Sequence, residues 1–149
     1  MSVTTRLIGA FTLLLASTPY TVHAEQSQAF GDYVIHYNAF ATGDLSPAIA
    51  KNYGITRSKN RALLNVAVLK KMPGTTGQPV TATVKATATN MSGQLQTLDV
   101  REVHEGNAIY YLAEINVSDQ ETQEFNIDVT PSPRGQAKHI QFRQQFFTP

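Results

Sequence analysis

The chain has 149 residues, 42% of them hydrophobic, which suffices for one domain with a buried core and is too short for two. It contains no cysteine, so disulfides, thiolate catalysis, cysteine-ligated metals and an acylated lipoprotein cysteine are excluded. Charged residues make up only 15% of the chain and the formal net charge is +1, which disfavours nucleic acid as a partner.

The first segment of the chain has the organisation of an export signal. Arg6 precedes an apolar run over residues 7–16 that is too short to span a bilayer, and the small residue Ala24 ends a signal-peptidase site. We predict a signal peptide over residues 1–24, cleaved after Ala24, and a single domain over residues 25–149. An uncleaved anchor is the alternative. The remaining sequence has no membrane-spanning apolar run, so we expect a periplasmic protein with no integral membrane segment after cleavage.

The strongest structural signal is a two-residue alternation of apolar and polar side chains. In Val80–Thr89 the apolar residues take one side and the threonines and Lys85 take the other, which is typical of a half-buried strand. Six further segments follow similar patterns: Tyr33–Asn38, Arg61–Leu69, Leu95–Val103, Ala108–Val117, Glu124–Thr130 and His139–Phe146.

Short turn segments rich in glycine, proline and asparagine separate most of these strands, as in Pro73–Pro79 and Pro131–Gly135. Such short connections favour antiparallel neighbours, because a parallel return needs a crossover of about a dozen residues or more. We therefore predict an all-β fold, an immunoglobulin-like antiparallel sandwich of about seven strands with one short helix. A small antiparallel β-barrel is the alternative.

The short helix is predicted within the long connection from Phe40 to Arg61. Ser46 is placed as N-cap, Pro47 as the first helical residue and Gly54 just past the end. Two interpretations of the helix over residues 46–53 stay open. It is either a lid that closes the end of the sandwich, or part of a binding site, since long connections often carry function.

Basic residues follow this helix at alternate positions: Arg57, Lys59 and Arg61. If this segment is extended, the three side chains project to one side and form a cationic ladder suited to phosphate, carboxylate or an anionic glycan. The alternative is that the three charges protect an exposed edge strand from aggregation.

Two sequence blocks resemble a known family. Residues 33–40, Tyr-Val-Ile-His-Tyr-Asn-Ala-Phe, and residues 53–68, Tyr-Gly-Ile-Thr-Arg-Ser-Lys-Asn-Arg-Ala-Leu-Leu-Asn-Val-Ala-Val, are similar to an exported bacterial domain-of-unknown-function family of short single-domain proteins. The resemblance extends over essentially the whole predicted mature chain. It implies a periplasmic β-sandwich with no assigned activity, cofactor or partner, and it supplies no catalytic residue.

Catalytic motifs are missing from the sequence. The predicted mature chain has three histidines, His36, His104 and His139, and none lies in a Gly-x-Ser-x-Gly or His-Glu-x-x-His pattern. We predict that the protein is not an enzyme and that it needs no cofactor.

Two functional hypotheses follow from these patterns. The first is a non-catalytic periplasmic binding or accessory protein that recognises an envelope protein or an anionic envelope component, with Arg57, Lys59 and Arg61 as candidate ligand-binding residues. The second is a metal-handling module for copper or zinc that uses His36, His104 and His139. In the second case the site would have to be assembled across strands, because the three histidines are far apart in the sequence. The sequence fixes neither the oligomeric state nor the strand order.

Overall fold

The alternating strands of the sequence form two antiparallel sheets in the computed structural model, which describes residues 25–148. The predicted signal peptide therefore lies outside the described residues. The strands are β1 (Gln26–Phe30), β2 (Tyr33–Ala41), β3 (Arg61–Lys70), β4 (Gln78–Pro79), β5 (Ala82–Asn90), β6 (Leu95–Thr97), β7 (Arg101–Glu105), β8 (Ala108–Asn116), β9 (Thr122–Pro131) and β10 (Lys138–Gln145). A 3₁₀ turn, Thr42–Asp44, and helix α1, Pro47–Tyr53, connect β2 to β3.

The two sheets are open and lie face to face, which confirms the all-β sandwich over the barrel alternative. Sheet A has the order β1-β2-β3-β8-β7, with β4 also paired to β3, and sheet B has the order β10-β9-β5-β6. All of these pairs are antiparallel.

The main core fills the space between the sheets. Phe125, Ile127 and Val129, at alternate positions of β9, have no solvent exposure. The ring of Phe125 stacks on that of Phe142 in β10, with centroids 5.0 Å apart. Tyr37 of β2 contacts Phe142 from the opposite sheet, also at 5.0 Å. The two-residue period of the sequence thus places one side of each strand in this core.

The segment predicted as one strand from Leu95 to Val103 is two strands in different sheets. The chain leaves sheet B at Leu98 and joins sheet A at Arg101, and the buried Leu98 donates its amide to the carbonyl of Ala86. The spacing of the apolar residues explains the break. Leu95 and Leu98 are three residues apart, so a single strand cannot place both on one face.

Strand β1 was not among the predicted strands, because its sequence, Gln-Ser-Gln-Ala-Phe, has no clear alternation. It pairs along its length with β2, from Gln26 opposite Tyr37 to Phe30 opposite Tyr33. The two-residue connection Gly31-Asp32 makes this hairpin possible, since Gly31 takes a positive φ of 55°.

Helix α1 begins and ends at the predicted residues. The Ser46 hydroxyl accepts a hydrogen bond from the amide of Ile49 at 3.3 Å, and Gly54 ends the helix with a left-handed φ of 64°. Of the two interpretations of this helix, the lid with Ile49 in the main core does not fit, because Ile49 is 43% exposed and Ala50 packs against Leu63 in a separate cluster.

The helix instead covers part of the outer face of sheet A. Leu63 alternates along β3 with Ala62 and Leu64, which belong to the main core, so Leu63 projects to the opposite face. A second, smaller apolar cluster forms there. Its buried members are Ala50, Ile55, Leu63 and Leu112, with Phe40, Leu45, Tyr53, Val103 and Tyr110 partly buried around them.

Candidate functional site

The three basic residues of the predicted ladder do not form an extended strand. Residues 55–60 are irregular or turn, and β3 begins only at Arg61. The Arg57 guanidinium donates to the carbonyl of Gly43 at 3.0 Å, and Arg61 pairs with Glu114 at 3.5 Å. The edge-protection alternative is wrong as well, because Arg61 begins a strand that has β2 and β8 on its two sides.

A buried threonine, which no pattern in the sequence singles out, shapes this segment. Thr42 is fully buried. Its hydroxyl accepts a hydrogen bond from the amide of Ser58 at 2.9 Å and donates one to the carbonyl oxygen of Thr56, also at 2.9 Å. Thr42 therefore anchors the chain between α1 and β3 to the end of β2. This anchor sets the position of the outer cluster relative to sheet A.

The three candidate histidines occupy separate places. His36 of β2 pairs with Glu25 at 3.0 Å, His104 of β7 with Glu102, and His139 of β10 with Asp128 at 2.8 Å. Within residues 25–148, no group of three or more histidine, aspartate or glutamate side chains is arranged to hold a metal ion. Residues His36, His104 and His139 therefore do not fit a shared copper or zinc site.

A polar link joins the two sheets next to His104. The buried Tyr111 hydroxyl accepts the amide of Ala82 in β5 at 2.7 Å and donates to Glu102 at 2.9 Å. Burial raises the pKa of Tyr111 to about 12. Hydrogen bonds with His104 and then Tyr111 lower the pKa of Glu102. The arrangement ties β5 to β7 and β8, which is a structural role.

A cleft lies between helix α1 and the outer face of sheet A, and we call it the α1 cleft. Its volume is about 260 Å³. Its lining residues come from four parts of the chain: Leu45, Ile49 and Tyr53 from the connection, Leu63 and Asn65 from β3, Glu105 from β7, and Tyr110 and Leu112 from β8.

Local sequence explains why the walls of the α1 cleft are apolar and aromatic. The consecutive residues Tyr110 and Tyr111 must face opposite sides of β8, and Tyr111 takes the main core. Tyr110 therefore lies on the outer face, where its ring is 6.5 Å from that of Tyr53 and tilted by 56°. The Arg101 guanidinium donates to the carbonyl of Tyr53 and holds the end of α1 against β7.

Two neighbouring amide oxygens lack hydrogen-bond donors among residues 25–148. Asn38 and Asn65 lie directly opposite each other on β2 and β3, and Oδ1 of each is buried without a partner there. A buried acceptor without a donor costs about 1–3 kcal/mol. Of the two residues, Asn65 lines the α1 cleft.

Larger hollows elsewhere on the molecule lack this feature. A cleft of about 360 Å³ lies where β6 ends, and one of about 500 Å³ lies beside the Met72–Gly77 loop. A third, of about 700 Å³, lies between this loop and Asn107. In the described part of the chain, none of the three has a lining side chain with a buried, unpartnered polar atom. The α1 cleft is therefore the preferred candidate.

A second hollow continues the α1 cleft along the same face. It has a volume of about 190 Å³, its lining residues include His36, Ala67 and Leu69, and it shares Tyr110 with the α1 cleft. Together the two hollows form an elongated, largely apolar depression on the outer face of sheet A.

The fold and this site define a β-sandwich with a helix-flanked cleft on one outer face. Residues 27–149 match DUF4426, a domain of unknown function, and the chain belongs to this family. No match was found among curated proteins. No helix within residues 25–148 is long and apolar enough to cross a membrane.

Solved structures support the family and the fold. A DUF4426 family protein from Pseudomonas aeruginosa PAO1 is 36% identical, with a TM-score of 0.72 and an alignment covering 84% of this chain and 96% of that one. FetP of uropathogenic Escherichia coli strain F11 is 11% identical, with a TM-score of 0.59 over 83% of this chain and 94% of FetP. A copper-bound FetP variant gives the same TM-score at 10% identity, covering 83% and 95% of the two chains. The likeness to FetP concerns the fold alone.

Proposed function

We propose that this DUF4426 protein is an exported, non-catalytic binding module whose ligand site is the α1 cleft. The observation that carries the proposal is the buried, partnerless Oδ1 of Asn65 in a cleft with otherwise largely apolar walls. Small-ligand sites are typically concave, mostly apolar and equipped with a few oriented polar groups. The ligand in this proposal has an apolar body and donates a hydrogen bond.

The side chains around the α1 cleft suit binding better than catalysis. Its lining supplies an amide, two phenols and one carboxylate, that of Glu105. His36, His104 and His139 all lie outside that lining, so the usual general base of a nucleophilic site is not supplied there.

A fluorescence titration with N-phenyl-1-naphthylamine, an apolar probe with one N–H donor, tests the proposal. We expect the fluorescence of the probe to increase and to saturate in the titration. The affinity should fall at least about tenfold in the Ile49→Glu variant, because the new charge must be desolvated on binding. Met72→Glu is the matched control, since Met72 is 44% exposed and Ile49 is 43% exposed. Equal affinity in the two variants contradicts the assignment of the site.

Export to the periplasm is part of the same proposal. It rests on the predicted signal peptide over residues 1–24 and on the family resemblance. Cell fractionation followed by amino-terminal sequencing is expected to give a periplasmic chain beginning at Glu25. A membrane-bound chain that retains Arg6 would show an anchor instead.

Recognition of an anionic or protein partner through Arg57, Lys59 and Arg61 stays a prediction. Its support is the charge of the segment, and its weakness is that Arg57 and Arg61 have partners within the protein. Pull-downs from envelope extract test this prediction by comparing the wild type with a variant in which Arg57, Lys59 and Arg61 are all replaced by alanine. Equal recovery of every partner removes the basic segment from the account.

Copper or zinc handling is the second candidate function, and the fold likeness to FetP is the observation that favours it. The separation of His36, His104 and His139 opposes a common site. Adding Cu²⁺ or Zn²⁺ to the purified protein tests it, since a metal bound by the native state raises Tm. An unchanged Tm eliminates this candidate.

A further inference from the structure

We infer that the ligand of the α1 cleft carries a primary alkylammonium group. This inference rests on the proposed function and names the chemical class of the ligand. It follows from three properties of the cleft: the sign of its charge, its hydrogen-bonding capacity and the arrangement of its aromatic rings.

The charge of the lining is negative. Among residues 25–148, Glu105 is the one acidic or basic residue in the lining of the α1 cleft, and its side chain is exposed. The two nearby guanidinium groups are already engaged, Arg101 by the Tyr53 carbonyl and Arg61 by Glu114. An anionic ligand would therefore face Glu105 without a basic lining residue to pair with, whereas a cation gains an opposite charge.

The buried polar atom in the lining of the α1 cleft is an acceptor. Oδ1 of Asn65 has no hydrogen-bond donor among residues 25–148. A primary ammonium group has three N–H donors and no acceptor, which complements such an oxygen.

The two tyrosine rings add a wall suited to a cation. Tyr53 and Tyr110 both line the α1 cleft, and their rings are tilted by 56° with centroids 6.5 Å apart. Ring faces attract ammonium ions through their quadrupole, and the attraction grows as water is excluded. Leu63 and Leu112 then surround the aliphatic stem that carries the ammonium group.

A matched pair of ligands separates this inference from the proposed function. Hexylammonium and 1-hexanol have the same aliphatic chain and both donate hydrogen bonds, but only hexylammonium is charged at pH 7. We expect both to bind, and hexylammonium to bind at least about fivefold more tightly, the ratio expected for a cation–π and carboxylate contribution of about 1 kcal/mol. Affinities are measured by NMR titration of the ¹⁵N-labelled domain.

Two variants locate the source of the preference. Glu105→Gln should reduce the ratio of the affinity for hexylammonium to the affinity for 1-hexanol at least about twofold, because the contribution that it removes is electrostatic. Asp128→Asn removes an exposed carboxylate on sheet B and should leave the ratio unchanged. An equal reduction in both variants overturns the assignment to Glu105.

Each outcome of the ligand pair has one meaning. If neither compound binds, the proposed function fails together with the inference. If both bind with equal affinity, the inference is wrong while the proposed function stands. A third titration, with Nα-acetyl-lysine N-methylamide, identifies the source of the ammonium group: affinity equal to that of hexylammonium indicates a lysine side chain of a polypeptide, and weaker affinity indicates a free amine.

Discussion

The main core, which lies between the two sheets, shares strands with the α1 cleft. The two regions differ in how completely side chains fill them. Leu64 and Val66 of β3 are 1% exposed in the main core, whereas Asn65 between them faces the cleft side with an unpartnered amide oxygen. One face of β3 is therefore optimised for packing and the other retains an uncompensated polar group. The inner face stabilises the fold, and we propose that recognition takes place on the part of the outer face beside α1.

The largest expected effect comes from the inner face. Phe125→Ala removes a ring with no solvent exposure that packs on Phe142 and Phe146, so the free energy of unfolding should fall by about 3–5 kcal/mol. Phe147→Ala is the control of the same residue type, since Phe147 is 62% exposed, and it should change stability by less than about 0.5 kcal/mol. Urea denaturation measures both, and similar values for the two variants would contradict the description of the core.

The polar link between the sheets should have the next largest effect. Tyr111→Phe leaves the amide of Ala82 without its acceptor and Oε2 of Glu102 without its donor, which should cost about 1–3 kcal/mol. The pKa of Tyr111, raised to about 12 by burial, adds a pH dependence. The neutral hydroxyl stabilises the fold below pH 10, and this contribution is lost as the pH rises from 10 towards 12.

Urea denaturation at several alkaline pH values measures this dependence. Tyr110→Phe is the control, because Tyr110 lies on the outer face of the same strand. The Tyr111→Phe variant should lose stability less steeply between pH 10 and 12 than the wild type. If stability falls equally steeply with pH in the wild type and in the Tyr111→Phe variant, the Tyr111 hydroxyl is not the titrating group.

A change in the α1 cleft should have a smaller effect of opposite sign. Asn65→Leu removes a buried amide whose oxygen has no partner, so stability should rise by about 1 kcal/mol while binding of hexylammonium weakens. Thermal unfolding and the same NMR titration measure the two effects. A loss of stability would mean that Asn65 serves packing, and it would remove the argument for a recognition role.

The smallest effect is a shift in one titration. Hydrogen bonds with His104 and Tyr111 lower the pKa of Glu102, so the contribution of this carboxylate is present above its unfolded pKa and is lost as the pH falls through its lower folded value. NMR titration of the Glu102 carboxyl carbon should give a midpoint below 4.5 in the wild type. His104→Ala should raise that midpoint, and an unchanged value would refute the contact.

Local patterns in the sequence predicted most of the fold. The alternation in Val80–Thr89 corresponds to β5, and the signals at Ser46, Pro47 and Gly54 bound the observed helix. Both patterns depend on interactions between residues close in sequence, which explains why they could be read directly. Where the apolar spacing changed between Leu95 and Leu98, the same rule missed the crossing from one sheet to the other.

The candidate site was harder to predict from the sequence, because it depends on strand order. Two signals in the sequence could have pointed to it: the consecutive residues Tyr110 and Tyr111, of which one must face outward, and Asn65, a polar residue in an otherwise apolar strand. These residues lie close to α1 and Glu105 only because β8 lies between β3 and β7. The sequence does not specify this strand order. The basic residues were predicted to bind a ligand because of their charge, but Arg57 and Arg61 make contacts within the protein.

Mapping 1-hexanol on the ¹⁵N-labelled domain by NMR tests the central claim most directly. The account predicts that saturable shifts concentrate on the amides of Leu63, Asn65, Tyr110 and Leu112, which line the α1 cleft from β3 and β8. Shifts centred on Lys85 and Thr97, or on the Met72–Gly77 loop, would place the ligand in another hollow and contradict the assignment of the α1 cleft as the binding site.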